Sequence, residues 1–387
     1  MNDLLHHVVQ RTDPADAGVA RSAERSVRAA MIPRALLAVS LLASADCAAP
    51  DEAEPQWVAE PTVSPQTSGT TALLIALGIV NRDTVWASGS GGTWVRTTDG
   101  VTWTAGVVPG ADSLQFRDVE PVNGNVAYLL SIGNGPSSRI YKTTDAGANW
   151  SLQFVNQDPN AFYDCFDFWD ENHGIAFSDS HDGHFSMVFT DDGTTWSPVP
   201  ISDMPAATPG EGGFASSGTC LVVDGDSTGW IGTGAGPGAG RVLRTADRGR
   251  SWTIAQTPLH RGPSGGITTL ALATVGLMSA IGGDIGNADT VVANVAVSTD
   301  AGVSWSLATG TPFRGAAYGS AWVPGAPSPT LVAVGPGGLA FSTDRARTWT
   351  AIDTLNHWGV AFAAPDAGWA VGPRGRISRI ALFRRAP

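Results

Sequence analysis

The sequence predicts an all-β ring made of seven copies of a four-stranded sheet. Three observations carry that reading. A short segment ending in tryptophan recurs six times, at Trp103, Trp150, Trp196, Trp252, Trp305 and Trp349, with successive spacings of 47, 46, 56, 53 and 44 residues. Between the copies lie apolar runs that alternate at period two and are punctuated by glycine, the signature of short strands. After the sixth copy come three more strand-like runs, and a matching run, Gln56 to Ala59, precedes the first. The period fits a four-stranded propeller blade and is too long for leucine-rich or ankyrin units.

Composition agrees. The 387 residues are 43% hydrophobic and 15% charged, with 47 Gly and 14 Trp. Such a chain is ill suited to a helical bundle or a coiled coil, and it has ample apolar surface to bury, against disorder. A formal net charge of −12 removes the broad cationic footprint of a nucleic-acid binder. Lys142 is the only lysine; it reads as part of an arginine-biased composition rather than as a site.

Residues 1–45 read as a signal-peptide region. The apolar run 35–45 is too short to span a bilayer. Arg34 precedes it, and Ala43-Ser44-Ala45 supplies the small-x-small pattern of a cleavage site. Met31 is a reasonable start for that signal. Residues 46–55 read as a linker, and Cys47 offers an alternative lipid anchor. The expectation is an exported protein, periplasmic or extracellular, with no transmembrane span. An oxidising compartment permits a disulfide between the two remaining cysteines, Cys165 and Cys220.

Each recurring segment has the residues of a tight turn. In RTTDGVTW or KTTDAGANW, a Thr or Ser and an Asp two places on satisfy backbone N–H groups in the bend, and Gly takes a positive φ. The Trp then opens a strand and packs between neighbouring sheets. Three copies have the full spacing (Asp145, Asp247, Asp300), and two are one residue tighter (Asp99, Asp192). The sixth, around Asp344, has Ala346 in place of Gly, so a strained or altered turn is expected there. In the seventh unit, Trp57 is expected to stand in for the recurring tryptophan. Closing the ring with a strand from each end removes exposed sheet edges. Residues 56–387 thus read as one seven-bladed β-propeller, closed by an N-terminal strand completing the last blade and expected to be a monomer.

The six turns resemble the Asp-boxes, or BNR repeats, of the sialidase-like β-propeller superfamily. The blade pattern of strand, GWAVG, strand and TTDGxxW is most similar to the photosystem II stability and assembly factor family, which is non-catalytic. The resemblance implies that Asp99, Asp145, Asp192, Asp247, Asp300 and Asp344 are scaffold residues at the blade periphery, away from the ligand face.

On that face the candidate ligand-binding residues are Arg117, Asp164, Asp179, His181, His184, Asp284, Arg314 and His357. Arg117 and Asp164 lie near the starts of inner strands, where they are placed to line the central cavity. The His181/His184 pair with its flanking aspartates suits zinc or manganese. The reading adopted is instead a solvated acidic loop, because no matching ligand set recurs; neither a metal nor a cofactor is expected. Glycoside hydrolysis needs two carboxyl groups across a cleft. Asp164, Asp179, Glu211 and Asp284 are candidates, but spacing alone brings no pair together. The arginine motif expected of sialidases is absent after the leader. Aligning Gly174 with Gly229 places Cys165 and Cys220 at the same inner-strand position of adjacent blades; rotation alone does not guarantee the roughly 5.5–6 Å Cα separation of a disulfide. The functional expectation is an exported, non-enzymatic propeller that binds a protein or glycan of the cell envelope on its loop face. The alternative is a secreted glycoside hydrolase that uses loop carboxylates.

Overall fold

The computed structural model describes residues 56–238 and 240–386; the leader and the lipid-anchor candidate Cys47 lie outside them. Seven four-stranded antiparallel sheets follow one another in chain order. Their inner strands are Leu74–Ile79, Phe116–Pro121, Tyr163–Phe168, Leu221–Asp224, Gly265–Leu272, Gly319–Trp322 and Gly359–Ala364, here blades 1 to 7. Each inner strand packs against those of both neighbouring blades, and blade 7 packs against blade 1. The ring is therefore closed. Its clasp is the outer strand of blade 7, Trp57–Thr67, antiparallel to Arg376–Arg385.

Seven apolar clusters occupy the seven interfaces between blades. Trp86, Trp230 and Trp369, on second strands, are fully buried in them. The tryptophan after each aspartate turn packs toward the preceding blade; Trp103 joins the cluster between blades 7 and 1, and Trp349 the one between 5 and 6. In blade 7 the register corrects an expectation. Val63, opposite Ile380, holds the position that Trp103 holds opposite Thr97. Trp57 sits six residues earlier, opposite Arg385, whose guanidinium lies 5.6 Å from its ring. It packs at the same interface but does not stand in for the recurring tryptophan, because the closing strand Trp57–Thr67 runs longer than the other outer strands.

The six turns share one hydrogen-bond scheme. In the longer form the Thr or Ser hydroxyl accepts a backbone N–H four residues on, as from Gly147 to Thr143 at 2.9 Å and Gly302 to Ser298 at 2.9 Å. The aspartate accepts the N–H and side chain of the residue four further on, as Asp300 does from Ser304 at 2.9 and 2.6 Å. The Ala346 turn keeps this scheme: its N–H reaches Ser342 at 2.9 Å, with Ala346 itself at φ +60°. The bend thus tolerates a non-glycine residue at positive φ without changing its bonds, and the strain stays local.

A second repeated device went unrecognised in the sequence. A basic residue of the third strand lies over the cross-strand aromatic of the second: Arg96 over Trp86, Lys142 over Tyr128 and Arg244 over Trp230, each just before the turn, and Arg379 over Trp369 in blade 7, which has no such turn. Lys142, read as compositional, belongs to this set. Such pairs join apolar contact with attraction between cation and ring.

Candidate functional site

The chain from blade 3 to blade 4 is long, and its second half crosses the axis of the ring. Gly213 N–H donates to Asp179 of blade 3 at 2.9 Å. Arg117 of blade 2 donates to Ala215 O at 2.8 Å. Ser217 Oγ donates to Tyr318 O, beside blade 6, at 2.7 Å, and Leu270 N of blade 5 donates to Thr219 O at 2.7 Å. A segment that touches blades 2, 3, 5 and 6 lies over the axis. Most of 211–220 is buried, so it is a plug rather than a surface loop.

Both ends of the plug are fixed. At one end the Glu211 carboxylate meets Arg241 Nε at 2.7 Å and also its Nη2, and it accepts Thr233 Oγ1 at 2.6 Å and Thr208 N–H at 2.8 Å. Burial alone would raise the Glu211 pKa; the Arg241 bonds and these other donors hold it below the usual value. At the other end Cys220 is disulfide-bonded to Cys165, with Cα atoms 6.1 Å apart. A chain of hydroxyls continues inward, from Ser217 to Thr219 at 2.8 Å, then Thr269 at 2.7 Å and Ser320 at 3.0 Å.

Under the plug lie carboxyl groups. A Cβ on Gly213 would come within 2.8 Å of Asp164 Cγ, and one on Gly212 or Gly218 would collide with Asp179 or Asp118. Only glycine lets the main chain cover these acids so closely. Asp118 accepts the N–H groups of Val119 and Phe166, each at 2.8 Å. Asp167 accepts those of Phe168 at 2.7 Å and Val223 at 2.8 Å. Each thereby ties its inner strand to that of the next blade. Burial raises both, Asp167 to about 7. Asp164 and Asp179 lie side by side under Gly213 and Gly212, and two carboxyls enclosed this closely are relieved of repulsion when one keeps its proton. Asp164 Oδ2 is buried without a donor. Burial first, and the Asp179 charge second, push Asp164 well above the usual carboxyl range.

The remaining candidates divide between the surface and the interior. Arg117 lies across the ring, 4.9 Å from the Trp358 ring, which meets the edge of Tyr318 at 4.9 Å. Asp284 and Arg314 line an open cleft of about 440 Å³ between blades 5 and 6, with Phe313, Tyr318 and Asp353. His357 is fully buried, its Nε2 3.2 Å from Asp353. His181 is paired to Asp158 at 2.9 Å, and His184, its cross-strand neighbour, is exposed. Among the described residues, no group of three or more His, Cys, Asp or Glu side chains is placed to hold a metal.

Three carboxyls, Asp284, Asp289 and Asp353, therefore do share an open cleft with aromatic walls. Asp284 is held below the usual range by Ser264 and Gly286 N–H. Burial would raise Asp353, but the His357 bond keeps it low. Both are ionised, whereas glycoside hydrolysis requires one of its two carboxyls to be raised and protonated. Asp118, Asp164 and Asp179, which the plug covers, are raised.

No family model and no curated protein matches this chain. Solved structures do. YCF48 from Cyanidioschyzon merolae superposes with a TM-score of 0.58 at 14% identity, over 84% of this chain and 99% of that one. A structure described as YCF48 bound to D1 peptide gives 0.55 at 17% identity, over 82% and 95%. The GH74 xyloglucanase from Xanthomonas campestris gives 0.57 at 15% identity, over 84% of this chain but 53% of that one. At these identities the likeness is one of fold: the seven-bladed propeller of this chain superposes on YCF48 and on part of a GH74 xyloglucanase. Function has to be argued from the site.

Proposed function

We propose that this chain is an exported, non-enzymatic propeller that binds a protein segment on its loop face, beside the plugged axis. One observation carries the reading. The axial carboxyls Asp118, Asp164 and Asp179 are roofed by the glycine backbone of 212–218, while Asp284 and Asp353 in the open cleft are held below the usual range. The cleft offers what peptide recognition uses: aromatic walls at Phe313 and Tyr318, a cation at Arg314 and acids at Asp284 and Asp353. A propeller of this fold has been described with a peptide bound, which makes a protein partner the first class to test. Export is supported by the leader pattern and by the Cys165–Cys220 bond, which an oxidising compartment sustains.

Binding to peptide and glycan arrays tests the proposal. Phe313→Ala and Arg314→Glu should each weaken peptide binding by about tenfold or more, as expected of central anchors. Arg248→Glu, beside the aspartate turn of blade 4, should leave it unchanged. Turnover of any glycan that disappears in Asp164→Asn or Asp284→Asn would overturn the proposal in favour of hydrolysis. The mass of the mature N-terminus tests export, with cleavage after Ala45 as the expected product.

A further inference from the structure

We propose that segment 211–220 is a proton-gated plug: the proton shared between Asp164 and Asp179 keeps it seated, and loss of that proton lifts its middle off blade 3. The geometry has three parts. The ends of the segment are fixed by Glu211–Arg241 and by Cys165–Cys220. The middle, 212–218, contains three glycines and rests on acids rather than on an apolar floor. Glu211 O accepts from Ser180 of blade 3, and Gly212 exchanges two backbone bonds with Gly234; beyond them, the contact to blade 3 is at the Asp164–Asp179 pair, with Gly213 N–H as the donor from the plug.

The surroundings set one cation, Arg117, against two carboxylates once both groups are ionised. From blade 2, Arg117 is the nearest cation, but its guanidinium is engaged by Ala215 O, Gln115 and the Trp358 ring; it helps to hold the plug. Asp118, also from blade 2, adds an acid beneath Gly218. Within blade 3, His181 is committed to Asp158 and lies beside Asp182. From the plug itself, the Glu211 charge is neutralised by Arg241. Tyr318, from blade 6, flanks Arg117 and contributes no positive charge. Two adjacent carboxylates in this enclosed site repel each other strongly. Lifting 212–218 admits water to them. The gate thus favours a closed face in acid and an opened one in alkali, and it operates whether or not a partner binds the cleft.

Backbone hydrogen exchange of the whole chain tests this, with rates divided by the intrinsic rate at each pH. Protection of 212–218 should fall about tenfold per pH unit once the pair ionises, while blade strands such as Ile175 to Phe177 keep theirs. Asp164→Asn retains a donor to Asp179 and removes the titration, so its plug should stay protected at all pH values. Should that variant fail to fold, Asp179→Asn serves the same purpose, and the wild-type profile decides by itself. A pH-independent wild type would overturn the proposal. So would a loss shared equally by plug and strands, or a fall in Asp164→Asn parallel to that of wild type.

Discussion

The aspartates at the rim of this ring and those at its axis are the same residue doing opposite work. At the rim, Asp99, Asp192, Asp300 and Asp344 accept several N–H and hydroxyl donors in the open and are held below the usual range, the last three at about 2. At the axis, Asp118 and Asp164 are buried under the plug and pushed up, and half-buried Asp167 on the same inner strand as Asp164 is raised with them. Rim aspartates are stabilised as anions by donors that water does not screen out of the turn. Axial ones remain under the plug because a proton or a backbone donor offsets their burial.

Several substitutions would break or sharpen that contrast. The largest loss is expected at the foot of the plug. Glu211→Ala leaves Arg241 buried without its carboxylate, and removing one partner of a buried ion pair costs about 3–5 kcal/mol; chemical denaturation should show it as a lower midpoint. Asp118→Ala strands two buried N–H groups at the join of blades 2 and 3, at about 2–4 kcal/mol. Asp300→Ala, at the rim, should lower the midpoint by less than half as much, because water can replace its bonds.

The pH dependence separates the two sets with opposite signs. The rim aspartates have folded pKa values below the unfolded one. Their contribution is present above the ordinary carboxyl range and is lost as the pH falls from about 4 toward about 2. The axial aspartates have raised folded values. Their protonated forms favour the fold fully below the ordinary range, and that contribution is lost as the pH rises, through about 7 for Asp167. Asp300→Asn should therefore flatten only the acid limb of a stability profile, and Asp164→Asn only the alkaline limb.

What the sequence revealed follows the same division. Turns that recur in phase announce the ring, because each aspartate, glycine and tryptophan serves the same bend in every copy. Lys142 escaped notice because its partner, Tyr128, lies on another strand, and only cross-strand register brings the two together. Trp57 misled because the closing strand is longer than its counterparts, which moved the packing position to Val63. The plug is not repeated at all. Its one trace is the 56-residue interval from Trp196 to Trp252, the longest of the five, together with EGGFASSGTC, a run of mostly small residues no blade strand needs. That Asp164 begins an inner strand was legible; that Asp179 and a glycine backbone cover it was not, since those contacts join elements far apart in the chain.

Mass-spectrometric mapping of carboxyl groups coupled to an amine by carbodiimide addresses the closed axis most directly. In native protein at mildly acidic pH, Asp99, Asp192 and Asp300 should be modified readily, and Asp118 and Asp164 only after unfolding. Modification of Asp164 at the rate of the rim aspartates would mean that water and small reagents reach the axis freely, and the plug would not be there.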